Sequence, residues 1–143
     1  LLKALDIPVY VNRADAPQMK IAPSSFRPTS GGETIQIGRV GVQLIHTPGH
    51  TPGSQCLLVN GRLFSGDTLF IRACGRWDLP GGDPAALYDS LAHRLKPLEE
   101  GTILYPGHNY AEKPTSTIGE EKRTNPFLQM LSVEEFLRMA RRG

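Results

Sequence analysis

Three short segments of this chain each follow an apolar run and carry a histidine or an aspartate beside a glycine. The residues concerned are His50, Asp67 and His108. Each apolar run has the length and composition of a β-strand, so the three side chains follow strand ends. Histidine nitrogen and aspartate oxygen are donors that zinc and non-haem iron accept. If the three strands lie side by side, these residues form a metal site.

The motifs around these residues resemble the later metal motifs of the metallo-β-lactamase superfamily, and most closely its glyoxalase II and persulfide dioxygenase branch. They read Thr-Pro-Gly-His-Thr, Ser-Gly-Asp-Thr and Pro-Gly-His. The resemblance implies that His50 binds a first metal ion, that Asp67 bridges or closes the site, and that His108 binds a second ion. It makes Asp67 the catalytic residue, because its charge balances the two cations. It implies zinc, as one or two ions, with iron as the alternative.

The same family also carries an earlier His-x-His-x-Asp-His motif, which supplies half of the ligands and an acid–base aspartate. The four histidines of this chain stand at positions 46, 50, 93 and 108, so nothing before residue 46 can play that part. The chain also begins with Leu1 rather than methionine. We therefore expect residues 1–143 to be the rear part of one metallo-β-lactamase-like domain whose N-terminal part is absent.

The pattern of elements predicts an α+β fold. Strands are predicted at residues 7–11, 33–37, 40–45, 55–59, 62–64 and 102–105, with loops at 23–32 and 67–82 and the last turn of a helix at 1–5. Asp83-Pro84 predicts a helix start, and so does the Ser132–Glu135 capping box. The family resemblance implies a metallo-β-lactamase-like αββα sandwich, here mainly its C-terminal sheet and covering helices. The missing N-terminal half or a second copy should cover the exposed sheet face.

Two further residues match glutathione contacts of glyoxalase II. The resemblance implies that Arg76 and Tyr110 bind the substrate, and an arginine fork can hold a carboxylate by two hydrogen bonds. A loop ion pair between Arg76 and Asp78 is the equally weighted alternative. Cys74 is expected to be structural rather than a nucleophile, and Trp77 to wall the pocket or anchor its loop.

Two histidines fall outside the predicted metal set. His46 ends a strand shortly before His50, and we expect it to orient a ligand or to be exposed. His93 lies on the face of its predicted helix away from the Leu87, Leu91 and Leu95 stripe, so we expect it to face solvent.

Composition excludes several classes of protein. A net charge of +2 is too small to indicate a nucleic-acid or membrane surface. No apolar run approaches the roughly 20 residues needed to span a bilayer. Cys56 and Cys74 do not form a Cys-x-x-Cys pair, which fits reduced thiols in the cytoplasm or an organelle matrix.

The leading functional prediction is a metal-dependent hydrolase resembling glyoxalase II (hydroxyacylglutathione hydrolase), in which metal-bound hydroxide attacks a glutathione thioester. The first alternative is an iron-dependent glutathione persulfide dioxygenase on the same fold, which residues 70–78 resemble more closely. The second alternative is an inactive fragment or half-domain that needs a partner. In the first two cases the parent protein is the enzyme, acting on a small-molecule glutathione thioester or persulfide, and this chain alone is inactive.

Overall fold

The computed structural model describes residues 7–19 and 24–140. The strands are β1 Val9–Asn12, β2 Phe26–Thr29, β3 Thr34–Ile37, β4 Val40–His46, β5 Gln55–Val59, β6 Arg62–Gly66, β7 Leu69–Phe70, β8 Ala73–Cys74, β9 Ile103–Pro106 and β10 Ser116–Thr117. The α-helices are α1 Pro84–Asp89, α2 Ile118–Thr124, α3 Pro126–Gln129 and α4 Val133–Ala140. A 3₁₀ turn spans Ala16–Gln18, and a π-helical turn, Ser90–Leu95, continues α1.

The main sheet has six strands in the order β10-β9-β6-β5-β4-β3. Strands β3 to β6 form an antiparallel meander, and β9 pairs in parallel with β6. The turn between β5 and β6 has left-handed backbone at both Asn60 (φ 46°) and Gly61 (φ 70°). This is the geometry of a type I′ hairpin, so the turn expected from the Asn-Gly pair is confirmed.

Helices cover one face of this sheet. The stripe of Leu87, Leu91 and Leu95 is fully buried, together with Leu63 and Leu104 of the sheet. The start of α1 agrees with the prediction, because Asp83 Oδ1 accepts hydrogen bonds from the backbone N–H groups of Ala85 (2.9 Å) and Ala86 (3.0 Å). The predicted terminal helix is α4, whose Phe136 is buried in the same core.

On the opposite face of the sheet, apolar side chains are exposed among residues 7–19 and 24–140. Leu57, Phe64 and Tyr105 are register partners across β5, β6 and β9, so their side chains share that face. Phe64 is 41% exposed and stacks on Tyr105 with ring centroids 5.1 Å apart. An apolar surface of this kind normally packs on something, and the αββα arrangement provides a second sheet there. What covers the face remains a prediction.

Two segments are more ordered than the sequence indicated. Residues 23–32 were expected to be loop, but Phe26–Thr29 forms β2 and pairs in parallel with β1. Proline is tolerated there because β2 is the edge of a two-stranded sheet. Residues 67–82 were expected to be irregular, but β7 and β8 form a short antiparallel hairpin within them. The helix end predicted at residues 1–5 lies outside the described residues.

Within residues 7–19 and 24–140, no helix has both the length and the apolar character required to cross a membrane.

Candidate metal centre

His50 is positioned by the connection between β4 and β5. The backbone N–H of Thr47 donates to the carbonyl of Ser54 at 2.8 Å, which closes the base of this loop. Gly49 (φ 138°) lies so close to Leu87 that an added Cβ would come within 2.4 Å of the Leu87 Cα. Only glycine fits this contact, so α1 sets the position of the loop that carries His50.

The far side of the same loop is held by Asp15. Asp15 Oδ2 accepts a hydrogen bond from Thr51 Oγ1 (2.6 Å), and Oδ1 accepts one from the Gly53 N–H (2.8 Å). These contacts join the segment after β1 to the loop after β4, across residues that are distant in sequence. His50 therefore lies in a loop that is fixed on both sides.

The imidazole of His50 is oriented by a backbone carbonyl. His50 Nδ1 lies 2.7 Å from the carbonyl oxygen of Arg76. A carbonyl oxygen only accepts hydrogen bonds, so Nδ1 carries a hydrogen, and Nε2 is the ring nitrogen that faces Asp67. This is how proteins orient a metal-binding histidine.

Asp67 and His108 follow the ends of two paired strands. The parallel pairing of β6 with β9 continues beyond the strands, where the Gly107 N–H donates to the carbonyl of Gly66 at 2.9 Å. Both strands therefore end at the same edge of the sheet, and the two side chains meet there. His108 Nε2 lies 3.3 Å from Asp67 Oδ1.

The carboxylate of Asp67 thus lies between two imidazoles. His50 Nε2 is 3.5 Å from Oδ2, and His108 Nε2 is 3.3 Å from Oδ1. The lone pair of His50 Nε2 and a carboxylate oxygen repel at this separation unless a proton or a cation lies between them. The donor set fits one side of a metal site.

These contacts do not by themselves close a metal site. Among residues 7–19 and 24–140, no group of three or more His, Cys, Asp or Glu side chains is arranged to hold a metal ion. The predicted ligands instead form two pairs that share Asp67. The structure therefore brings the three predicted residues together, and an ion held there would need further donors.

An aromatic wall borders His108. The ring of Tyr110 stacks on His108 with centroids 5.4 Å apart and an interplanar angle of 20°. Phe70 meets Tyr110 edge-on at 5.2 Å and is itself buried. Tyr110 is 73% exposed, so its phenol is free to contact a ligand that approaches His108.

Arg76 contributes its backbone to the centre, while its side chain pairs with Asp78. Both Nε and Nη2 donate to the Asp78 carboxylate at 2.7 Å, and both side chains are exposed. These hydrogen bonds from Arg76 lower the pKa of Asp78 to about 2. The ion pair considered from the sequence is therefore present. It does not exclude substrate binding, because the pair is at the surface.

Cys74 and Trp77 pack against the hydrophobic core. Burial raises the pKa of the Cys74 thiol to about 12, so it is not a nucleophile at neutral pH. Trp77 packs against Phe136 at 5.3 Å and Phe127 at 6.3 Å, which anchors the loop that supplies the Arg76 carbonyl.

The remaining histidines have local partners. His46 Nε2 is hydrogen-bonded to the carbonyl of Pro52 at 2.9 Å, so it stabilises the His50 loop and is only half-buried. His93 is exposed, as expected, and its Nδ1 lies 3.0 Å from Asp89 Oδ1. The hydrogen bond with His93 is the largest influence that lowers the pKa of Asp89.

Sequence reasoning missed two buried polar residues on the helical side of the centre. Glu121 and Asn125 are fully buried and are hydrogen-bonded to the hairpin formed by β7 and β8. Their four-residue spacing, which places both side chains on one helix face, was the available signal. A glutamate in a short charged helix is ordinarily solvated, which hid it.

Comparison with known proteins shows the family and the fold of this chain. The family model of the metallo-β-lactamase superfamily matches residues 1–108. The persulfide dioxygenase ETHE1, mitochondrial, of Bos taurus is 39% identical over 110 residues, which cover 76% of this chain and 43% of that protein. The crystal structure of ETHE1 from Myxococcus xanthus has a TM-score of 0.75 at 38% identity, covering 80% of this chain and 51% of that one.

A third relative carries iron. TTHA1623, whose crystal structure is of a di-iron-bound form, has a TM-score of 0.74 at 38% identity, covering 89% of this chain and 68% of that one. The chain spans less than half the length of the Bos taurus protein. By its motifs, its sheet and these similarities, the chain belongs to the metallo-β-lactamase superfamily, on the branch that resembles the persulfide dioxygenases.

Proposed function

We propose that the protein containing this chain is an iron-dependent dioxygenase that oxidises the persulfide of a small thiol such as glutathione. The observation that carries the proposal is the Asp67 carboxylate between two imidazoles, in a chain 39% identical to a persulfide dioxygenase. The thioester hydrolase favoured by the sequence has the same ligands. We rank it second because the named relatives support the dioxygenase alternative.

His50 and Asp67 would supply two of the three ligands of a two-histidine, one-carboxylate iron site. Iron would supply redox chemistry with oxygen, which zinc lacks. His50 is held for this task by the Arg76 carbonyl, which fixes its ring and directs Nε2 towards Asp67. His108 would bind a second ion, or share the same one, on the other oxygen of Asp67.

The substrate would approach along the exposed side of His108. Tyr110 offers a phenol hydroxyl beside that imidazole, and Phe70 gives the wall an apolar base. Arg76 is exposed, so its guanidinium can exchange its contact with Asp78 for a carboxylate of the substrate. In this proposal Tyr110 and Arg76 bind the body of the substrate, while the persulfide end meets the metal.

The remaining metal ligands would come from residues other than His50, Asp67 and His108. We propose that residues 1–143 form the rear part of a single domain, and that a second sheet covers the face bearing Leu57 and Phe64. That sheet would come from an N-terminal part or a second copy. We also propose the cytoplasm or an organelle matrix as the location, since neither cysteine is paired in a disulfide.

The proposal is tested on the whole protein purified without air or chelator. We expect bound ferrous iron and oxygen uptake that depends on glutathione persulfide. Zinc substitution should abolish the uptake, because zinc has no redox chemistry. A hydroxyacyl-glutathione thioester, supplied without oxygen, should not be cleaved. Thioester cleavage by the zinc form, with no oxygen consumed by the iron form, would restore the hydrolase as the correct assignment.

Replacement of Arg76 by alanine tests the substrate-binding role. We expect KM for the persulfide to rise about tenfold, the effect of one lost charge-assisted hydrogen bond, with kcat little changed. Arg123→Ala is a matched control, because Arg123 and Arg76 are both 62% exposed and both paired with carboxylates. Equal KM values in the two variants would remove Arg76 from the binding site.

A further inference from the structure

Glu121 is a buried carboxylate whose oxygens are fully engaged in hydrogen bonds. The residue is 0% exposed. Its Oε1 accepts from Ser116 Oγ at 2.6 Å. Its Oε2 accepts from the backbone N–H of Arg72 at 2.8 Å and from Asn125 Nδ2 at 2.9 Å. A buried charge is costly unless it is bonded in this way, so the contacts are what allow Glu121 to lie in the core.

Asn125, which follows α2, is hydrogen-bonded to the same hairpin. Its Nδ2 also lies within hydrogen-bond distance of the carbonyl oxygens of Phe70 (3.1 Å) in β7 and Ala73 (3.0 Å) in β8, so its two hydrogens are shared among three acceptors. With the contact from Glu121 to the Arg72 N–H, both strands and the tip of the hairpin are fixed. Arg72 has a left-handed backbone (φ 58°), which is unfavourable for a residue with a side chain and is maintained by this bond.

The hairpin in turn sets the position of Asp67. The Gly75 N–H after β8 donates to the carbonyl of Thr68 at 3.2 Å, directly after Asp67. Gly75 also lies so close to the Asp67 carbonyl oxygen that an added Cβ would come within 1.7 Å of it. A displacement of β8 would therefore move the backbone that carries the carboxylate.

The hairpin also supports His108. The Phe70 ring of β7 contacts the His108 imidazole with centroids 6.0 Å apart, and it contacts Tyr110 at 5.2 Å. The carbonyl of Phe70 is one of the two that Asn125 holds. Asp67 and His108 thus both rest on one small element, whose position is set by Glu121 and Asn125.

We infer that Glu121 and Asn125 are positioning residues for the metal centre, acting through the β7–β8 hairpin. Neither is a ligand, since both oxygens of Glu121 and the amide of Asn125 are used by other partners. Their role is to hold Asp67 and His108 at the separation at which the two can serve a common ion. The inference rests on the proposed function only in requiring that a metal binds at His50, Asp67 and His108.

The test uses the whole protein, titrated with cobalt(II), whose visible absorption reports ligand geometry. In Asn125→Ala we expect cobalt to bind about tenfold more weakly and with an altered absorption spectrum. A tenfold loss of affinity is at the low end of what removing a group that orients metal ligands usually costs. Compared with the unsubstituted protein, the amides of Arg72 and Gly75 should exchange hydrogen faster, whereas those of β4 and β5 should exchange at unchanged rates. Glu121→Gln, which keeps shape and removes charge, should shift both measurements in the same direction and serves if the alanine variant does not fold.

Leu95→Ala is the control, because it truncates a fully buried side chain that belongs to the helical segment after α1 and not to the hairpin or to the two polar residues. It should lower the melting temperature and leave cobalt affinity and spectrum unchanged. The inference would be overturned if cobalt affinity fell equally in Leu95→Ala and in both polar variants. It would also be overturned if cobalt binding were unaltered in both polar variants. Failure of the unsubstituted protein to bind cobalt would overturn the metal site itself. Cobalt binding without oxygen uptake by the iron form would overturn only the dioxygenase.

Discussion

Asp67→Asn should leave the protein folded but without bound iron, and oxygen uptake should fall by more than about 100-fold. This exceeds the usual loss on removing a group that merely orients a ligand. The asparagine keeps the shape of the side chain but removes the negative charge that lies between His50 and His108. Metal analysis after dialysis and oxygen-electrode measurements on the whole protein give the two readouts.

Asp78→Asn is the matched control for this change. Asp78 is also a loop aspartate with a close partner, yet it pairs with Arg76 at the surface rather than with the two imidazoles. Iron content and kcat should remain near those of the unsubstituted protein. Full iron content in Asp67→Asn would mean that Asp67 is not a ligand, whatever the activity of that variant.

Among the glycines of residues 7–19 and 24–140, Gly75 should be the one at which alanine is most damaging. Its Cβ would lie 1.7 Å from the carbonyl oxygen of Asp67, which is backbone and cannot rotate away. The hairpin must shift, at a cost of at least about 1–3 kcal/mol in the free energy of unfolding. Because the shift moves Asp67, bound metal should be lost as well. Urea unfolding and metal analysis measure the two effects.

Gly101→Ala separates this clash from the general effect of replacing glycine. No heavy atom lies within 4 Å of the position that its Cβ would take. Its unfolding free energy should change by less than about 1 kcal/mol, the ordinary range for a compatible glycine-to-alanine change. If Gly75→Ala were as stable as Gly101→Ala and kept its metal, the tight packing of β8 on Asp67 would be wrong.

The features that could be predicted from sequence are those encoded by a few neighbouring residues. Asn60-Gly61 specifies its turn because both residues tolerate the left-handed backbone that the hairpin needs. Asp83 specifies a helix start because its carboxylate reaches N–H groups two and three residues later. The proximity of His50, Asp67 and His108 belongs to the same class, since each follows a recognisable strand end.

The features that were missed depend on partners far along the chain. Residues 26–29 have a loop-like composition and become a strand only because β1 lies beside them. Glu121 looks like a solvated charge in sequence, and its burial depends on Arg72, Asn125 and Ser116 being brought to it. The four-residue spacing of Glu121 and Asn125 does not reveal their distant partners, because tertiary context decides both the strand and the burial.

The parallel pairing of β6 with β9 also decides when the centre can assemble during folding. The meander from β3 to β6 needs only short turns, and it carries both His50 and Asp67. His108 arrives with β9, after the crossover through residues 67–102 has closed. Contacts between residues distant in sequence form late, because closing the loop between them costs entropy before the contacts can stabilise it. We therefore expect His50, Asp67 and His108 to come together late in folding, so an ion would bind to a sheet that has already formed.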